Sequence, residues 1–226
     1  MKKLLIIALL PLLFGCKPKV NNEPKLNANG WQDLDLGAFK ISIPPSWKYQ
    51  QEQGRDSFVG EIKAANALFS FDFSSMGYAN SLIETEQQYL KREVWQYNCH
   101  FCKSGVTYVN NQTPDRDTKK NMHIPTSKQK AKYPEADYIV DLTYKDSTVY
   151  IPIEIPAEIK SHHIQLDTTE KYIIKTIWPK VPSKEITGVY YQSRSSTLNF
   201  QMAAHNLSKQ DQDLALQAFK TIVIKK

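Results

Sequence analysis

The residues best suited to chemistry in this 226-residue chain are the cysteines of one short motif. Cys99 and Cys102 are separated by two residues, the spacing of thiol-redox sites and of half of many zinc sites. A reactive thiol usually lies at a helix N-terminus, where the helix dipole stabilises the thiolate. This motif follows an expected helix, so the dipole has the wrong sign for that stabilisation. Zinc would need two further ligands, for which His100 and His123 are candidates. We expect a local disulfide or structural pair, with metal binding, redox activity and free thiols as alternatives.

The other polar candidates carry weaker signals. His162 and His163 are adjacent, so on a strand they point to opposite faces and cannot readily share a metal ion. His205 stands just before an expected helix cap and is interpreted as a loop residue rather than a base. No grouping of Ser, His and Asp carries the local signature of a nucleophile, and the 8 glycines are too few for a phosphate-binding loop. We therefore expect no catalytic residue, no metal ion and no cofactor.

Three aromatic residues offer a possible binding surface. Trp178, Tyr190 and Tyr191 lie in segments that alternate between apolar and polar residues. Aromatic side chains in such segments more often fill the core of a sheet than form an exposed patch. We therefore favour the core interpretation and keep the binding surface as its alternative.

The third cysteine, Cys16, ends the segment MKKLLIIALLPLLFGC. Two lysines precede eleven consecutive apolar residues, which are too few to cross a bilayer, for which about 20 are needed. This pattern is typical of a removable export signal. An ordinary secretory signal and a retained short anchor are the alternatives. The Gly15-Cys16 ending resembles the lipobox of bacterial lipoproteins, which implies cleavage before Cys16 and acylation of that residue as a stable membrane anchor.

That resemblance implies a bacterial cell-envelope protein held by lipid on Cys16. The absence of an acidic residue directly after Cys16 favours the periplasmic side of the outer membrane. The formal net charge of +6 is spread along the chain rather than concentrated, so nucleic acid is not an expected partner. The expected partners are the membrane and either another envelope protein or a small ligand.

The composition divides the chain into three parts. Residues 1–15 are the expected signal peptide, and residues 16–30 are polar and Lys-, Asn- and Pro-rich, which favours a flexible tether. Residues 31–226 are expected to form one domain, long enough to build its own core. Within it, residues 111–135 are polar and contain three prolines, which indicates a long surface loop or insertion.

Alternating apolar residues predict a series of short strands, and two capping signals predict helices. The strands are expected at 39–43, 57–63, 69–73, 106–109, 138–144, 149–155, 162–168, 171–178, 189–191, 198–202 and 222–224. Pro152 cannot donate a ladder hydrogen bond, so its strand is expected at a sheet edge or to be bulged. Ser81 with Glu84, and Ser208 with Asp211, are expected to cap the helices.

Two terminal patterns are similar to those of a known superfamily. Near the front stands FKISIPPSW, residues 39–47, and at the back the cap at 206–208 leads into residues 218–222, AFKTI. Together these resemble the PsbP-like superfamily. The resemblance implies an α+β fold, an antiparallel β-sheet flanked by helices in an α/β/α sandwich, and a protein that binds or assists other proteins without a shared catalytic set. We expect a non-catalytic binding or accessory module, with a thiol-redox or metal-handling protein using Cys99 and Cys102 as the alternative.

Overall fold

The computed structural model describes residues 26–28, 30–75, 82–93, 119–144, 146–182 and 185–225. Within these ranges antiparallel sheets dominate and helices are few. Several predictions fall on other residues and lie outside the described part: the lipidation site Cys16, the motif of Cys99, His100 and Cys102, the cap Ser81, and the strand at 106–109.

The strands are β1 (Gln32–Asp35), β2 (Phe39–Ile43), β3 (Lys48–Gln51), β4 (Phe58–Lys63), β5 (Leu68–Ser74), β6 (Lys119–His123), β7 (Tyr138–Tyr144), β8 (Ser147–Ile153), β9 (His162–Thr168), β10 (Tyr172–Pro179), β11 (Ile186–Ser193), β12 (Asn199–His205) and β13 (Val223–Ile224). The helices are α1 (Glu86–Lys91), α2 (Ser127–Lys132), α3 (Ala157–Ser161) and α4 (Lys209–Phe219). The alternating patterns therefore predicted most strands correctly.

A seven-stranded antiparallel sheet, in the order β3-β4-β5-β12-β11-β10-β9, is the centre of the fold. One face, here the α4 face, carries the phenylalanines of β5 and packs against α4 and the small sheet β1-β2-β13. The opposite face, here the α3 face, carries Ile177 and Ile186. These residues pack against Ile155, which lies just before α3, and Ile159, which lies within it. Both faces of the central sheet are thus partly covered.

An aromatic cluster forms the main core on the α4 face. Phe39 of β2 is fully buried, and its ring centroid lies 5.0 Å from that of Phe71 and 4.6 Å from that of Phe200. Trp47 stacks on Phe69 with centroids 4.6 Å apart. Because aromatic pairs at such distances add about 0.5–1.5 kcal/mol to their area burial, this cluster fixes the small sheet onto the central one.

The last helix closes this core from the C-terminal side. Ser208 caps α4 as predicted, because its hydroxyl oxygen accepts a hydrogen bond from the backbone N–H of Asp211. The helix buries Ala215, Ala218 and Phe219 on one side. These small and aromatic side chains let the helix lie close to the sheet.

The final strand joins the two ends of the domain. In β13, Val223 and Ile224 pair with Lys40 and Phe39 of β2. The Thr221 hydroxyl oxygen also accepts a hydrogen bond from the backbone N–H of Ser42, at 2.8 Å. Residues more than 170 positions apart in sequence are therefore neighbours in this sheet.

A third sheet, in the order β6-β7-β8, contains the predicted hairpin β7–β8. Pro152 lies on β8 at the edge of this sheet, which confirms its predicted position. Residues 111–135 were predicted as a surface loop or an insertion. Their described part contains β6 and α2, so it is not a loop without secondary structure, and the insertion stays a prediction. Thr126 and Gln129 form a capping box at the start of α2, and β6 is held by its pairing with β7.

The first helix starts later than predicted. Leu82 has a positive φ of 53°, which no helix allows, and α1 begins after a capping box made by Thr85 and Gln88. Ile83 is buried against the α3 face instead of lying on a helix. Tertiary packing of these apolar residues therefore overrides the upstream capping signal.

Ordered contacts also begin before the predicted domain boundary at residue 31. Leu26 forms an isolated bridge with Gln32. The Asn27 side chain donates to the carboxylate of Asp33 at 2.9 Å and accepts from the backbone N–H of Trp31 at 3.1 Å. The end of the predicted tether is thus part of the folded body.

Candidate functional site

A cleft of about 380 Å³ lies on the α4 face, between the β9 side of the central sheet and the C-terminal end of α4. We call it the α4 cleft. It is lined by Gln165, Asp167, Ile174, Thr176, Trp178, Val189, Tyr191, Leu216, Phe219 and Lys220. Its volume falls within the roughly 300–1,000 Å³ that is usual for small-ligand sites.

Strand register builds the floor of the α4 cleft. Gln165, Thr176 and Val189 are directly opposite one another on β9, β10 and β11, and form one row across the sheet. A second row runs parallel to it, two residues along each strand. It consists of Asp167, Ile174 and Tyr191. Side chains opposite each other in adjacent strands lie about 4.5–5.5 Å apart at Cβ, so these rows form a continuous surface.

Tyr191 joins this floor to the wall formed by α4. Its hydroxyl donates to the backbone carbonyls of Phe219 and Ile222, each at 3.5 Å. Burial, with the negative charge of Asp167 as a smaller cause, raises the pKa of Tyr191 to about 12. The phenol therefore stays neutral at physiological pH and serves as a fixed hydrogen-bond donor.

The rim of the α4 cleft carries opposite charges on its two sides. On β9, the amide of Gln165 donates to the carboxylate of Asp167 at 2.9 Å, which orients that carboxylate. Lys220 stands on the opposite wall, at the end of α4. Between them the floor and wall are mainly apolar and aromatic. Such a site can hold a compact apolar group and can orient a polar end at the rim.

A row of polar side chains crosses the α3 face of the central sheet. Asp72, Gln201, Tyr190 and Lys175 are directly opposite one another on β5, β12, β11 and β10. Among the described residues, the Oδ1 atom of Asp72 and the Oε1 atom of Gln201 are buried without a hydrogen-bond partner. Partial burial, with the charge of a neighbouring aspartate, raises the pKa of Asp72, and burial lowers the pKa of Lys175.

The histidines occupy separate places. Both ring nitrogens of His123 face acceptors, including the Asp141 carboxylate 3.0 Å away. As predicted, His162 and His163 point to opposite faces of β9: His162 is buried, and His163 is exposed and stacks on Trp178 with centroids 5.2 Å apart. His205 is exposed and is the last residue of β12, so its interpretation as a loop residue is wrong.

The structure does not test the alternative of a zinc site, because Cys99, His100 and Cys102 lie outside the described residues. Of the candidate ligands, His123 alone falls within them, beside Asp141. Among the described residues, no three His, Cys, Asp or Glu side chains are grouped as a metal site. The same residues include no helix with the length and apolar character needed to cross a membrane.

The aromatic residues singled out from the sequence divide between core and cleft. Tyr190 and Tyr191 are each 7% exposed, which confirms their interpretation as sheet core. Trp178 is partly exposed and, with Tyr191, lines the α4 cleft. Gln165, Thr176 and Lys220 carried no signal in the sequence, because nothing in their local pattern shows that β9, β10 and α4 meet.

Comparisons with known proteins do not assign this chain to a family. No protein-family model matches the chain, and no curated protein matches it in sequence.

Proposed function

We propose that this chain is a lipid-anchored protein of the bacterial cell envelope whose domain is a non-catalytic binding or accessory module. The observation that carries the binding role is the α4 cleft, which combines apolar and aromatic side chains with the carboxylate of Asp167 and the ammonium group of Lys220. The export-type segment ending at Cys16 supports the anchor. The absence of an acidic residue directly after Cys16 supports an outer-membrane position facing the periplasm.

The finer description of the fold is part of this proposal. A seven-stranded sheet with α4 on one face and α3 on the other is consistent with an α/β/α sandwich of the PsbP-like kind. The terminal sequence patterns give further support, because FKISI forms β2 and the capped C-terminal segment forms α4. In this arrangement the cleft lies where α4 leaves part of the sheet uncovered.

The ligand of the α4 cleft is a compact aliphatic or aromatic group that carries a polar end. Ile174, Val189 and Leu216 provide apolar contacts, and Trp178 provides a partly exposed aromatic ring. The polar end would meet Asp167 or Lys220 at the rim. Either a small molecule or a side chain of another envelope protein can present such a group.

Binding of the uncharged dye N-phenyl-1-naphthylamine tests the cleft. We expect its fluorescence to rise with the wild-type chain and the rise to be lost in Thr176→Trp, which fills the floor. Thr148→Trp is the matched control, because Thr148 is an exposed strand residue of a different sheet. Thermal unfolding of both variants checks that the fold persists. No dye binding to the wild type, or equal binding by the two variants, would refute the cleft as the site.

The alternative function is a thiol-redox or metal-handling protein that uses Cys99 and Cys102. It is favoured by the CxxC spacing in the sequence. Removal of both thiols distinguishes the two functions, because binding in the α4 cleft does not require Cys99 or Cys102.

A further inference from the structure

Among the described strands, β9 forms one outer edge of the central sheet and pairs with β10 alone. It has seven residues, and Leu166 is 45% exposed. In an antiparallel pair, alternate residues direct their backbone N–H and C=O groups to the neighbour, and the others direct theirs outward. The outward groups of an edge strand form a template for another strand.

The other described edges of the central sheet and of the third sheet carry the usual protection against such pairing. Strand β3, at the opposite end of the central sheet, has only four residues and includes Lys48. In the third sheet, β8 contains Pro152 and β6 contains Lys119 and Lys120. Short length, proline and lysine all discourage edge-to-edge association. Strand β9 has seven residues and contains neither proline nor lysine.

The sequence of β9, HHIQLDT, is complementary to itself in an antiparallel register centred on Gln165. In that register Ile164 of one copy faces Leu166 of the other, and both lie on the α3 face. His163 faces Asp167 on the α4 face, and Gln165 faces its own symmetry copy. Side-chain pairs at directly opposed positions each contribute about 0.2–1 kcal/mol to a strand pair. Here Ile164 meets Leu166 in an apolar contact, and a ring N–H of His163 can donate a hydrogen bond to Asp167.

We propose that β9 is a self-association edge, through which two copies of this chain pair antiparallel about a two-fold axis at Gln165. The two central sheets then form one continuous antiparallel sheet. An interface of this kind is isologous, because both copies use the same strand and each contact between two different residues occurs twice. Since Gln165 and Asp167 also line the α4 cleft, the pairing places the two clefts side by side across the axis.

The contact is small, because it involves one strand from each copy, so we expect a weak dimer in solution. Confinement to a membrane surface would raise the effective concentration and favour the pairing. The inference goes beyond the proposed function and does not depend on what the cleft binds.

Sedimentation equilibrium of the full chain in density-matched detergent tests the proposal. We expect a reversible monomer–dimer equilibrium that Leu166→Lys weakens at least tenfold. The control is Leu68→Lys on β5, because Leu68 is 43% exposed but its strand lies inside the sheet. A monomer throughout the range to millimolar concentration, or equal weakening by both substitutions, would overturn the proposal.

A charge exchange provides a second readout that a folding defect cannot imitate. His163→Glu places like charges opposite each other, so we expect it to weaken the dimer. Adding Asp167→Lys to that variant restores opposite charges across the axis and should restore the dimer at low ionic strength. Failure of the double variant to recover would contradict the proposed register.

Discussion

Both ring nitrogens of His123 face hydrogen-bond acceptors, with Nε2 3.0 Å from Oδ1 of Asp141 and Nδ1 2.9 Å from the carbonyl oxygen of Ile124. A neutral imidazole has one N–H, whereas the imidazolium ion has two and can donate to both acceptors. The Ile124 carbonyl, followed by the Asp141 carboxylate, therefore raises the pKa of His123. This geometry links the stability of the β6–β7 pair to pH.

The first prediction concerns that pH dependence. Because the folded-state pKa of His123 is raised, its stabilising effect is fully present below the unfolded pKa of about 6.5 and is lost as pH rises through the folded pKa. We expect the free energy of unfolding in urea to fall more between pH 6 and 8.5 in the wild type than in His123→Gln. Identical pH profiles for the two chains would contradict it.

The second prediction concerns the polar row on the α3 face. Asp72→Asn removes a partly buried charge and supplies an N–H that can reach the unpartnered Oε1 of Gln201 on the neighbouring strand. We expect the free energy of unfolding to rise by about 1 kcal/mol at pH 7. The pKa of Asp72 is raised, so the gain should shrink as pH falls and the wild-type carboxyl is protonated. Ser70→Asn, at an exposed position on the same face of β5, should have no such effect.

The third prediction concerns the closing segment. Thr221→Val keeps the side-chain shape but removes the hydroxyl that accepts from the Ser42 N–H at 2.8 Å. Leaving a part-buried N–H without its partner costs about 1–3 kcal/mol, so chemical unfolding should show a loss of that size. Thr148→Val, which removes an exposed hydroxyl bonded to Thr143, should change stability by less than about 0.5 kcal/mol. Equal losses in the two variants would argue against a specific role for Thr221.

The fourth prediction separates the two candidate functions. Replacing Cys99 and Cys102 together by serine should leave dye binding in the α4 cleft unchanged and lower stability only modestly, as expected for a structural pair. Fluorescence titration and thermal unfolding measure the two effects. If the double variant keeps its fold but loses the function of the chain in cells, the thiol-redox or metal-handling role is favoured instead.

The fifth prediction concerns membrane attachment. Intact mass spectrometry of the product made in a bacterial host should show an N-terminus at Cys16 that carries acyl chains. Cys16→Ser should prevent this modification and reduce the membrane-bound fraction. An unmodified thiol in the wild-type product, or an uncleaved leader in the cytosol, would contradict the anchor.

Local patterns predicted the strands well, because burial of alternate residues leaves a period-two signal. The strands of Phe39–Ile43 and Leu68–Ser74 follow that signal closely. Strand β6 carries no such signal, since four of its five residues are exposed, and it is a strand because β7 pairs with it. Residues 127–132 bury no side chain, yet the Thr126 and Gln129 capping box was a readable signal for that helix.

The α4 cleft could not be predicted in the same way. Its floor requires the register that places Asp167 opposite Ile174, and its wall requires the end of α4 to reach Tyr191. Both depend on pairing between segments that are distant in sequence. Trp178 was recognisable as an aromatic candidate, but its partners were not.

The pairing of Phe39 with Ile224 has a consequence for how the chain acquires its structure. Phe39 belongs to the main aromatic cluster and lies on β2. Strand β2 pairs with β13, the last of the described strands. A nascent polypeptide therefore cannot finish this core until Ile224 has been synthesised, and contacts of such long sequence separation slow folding. Late completion of the core is compatible with the export step of the function that we propose.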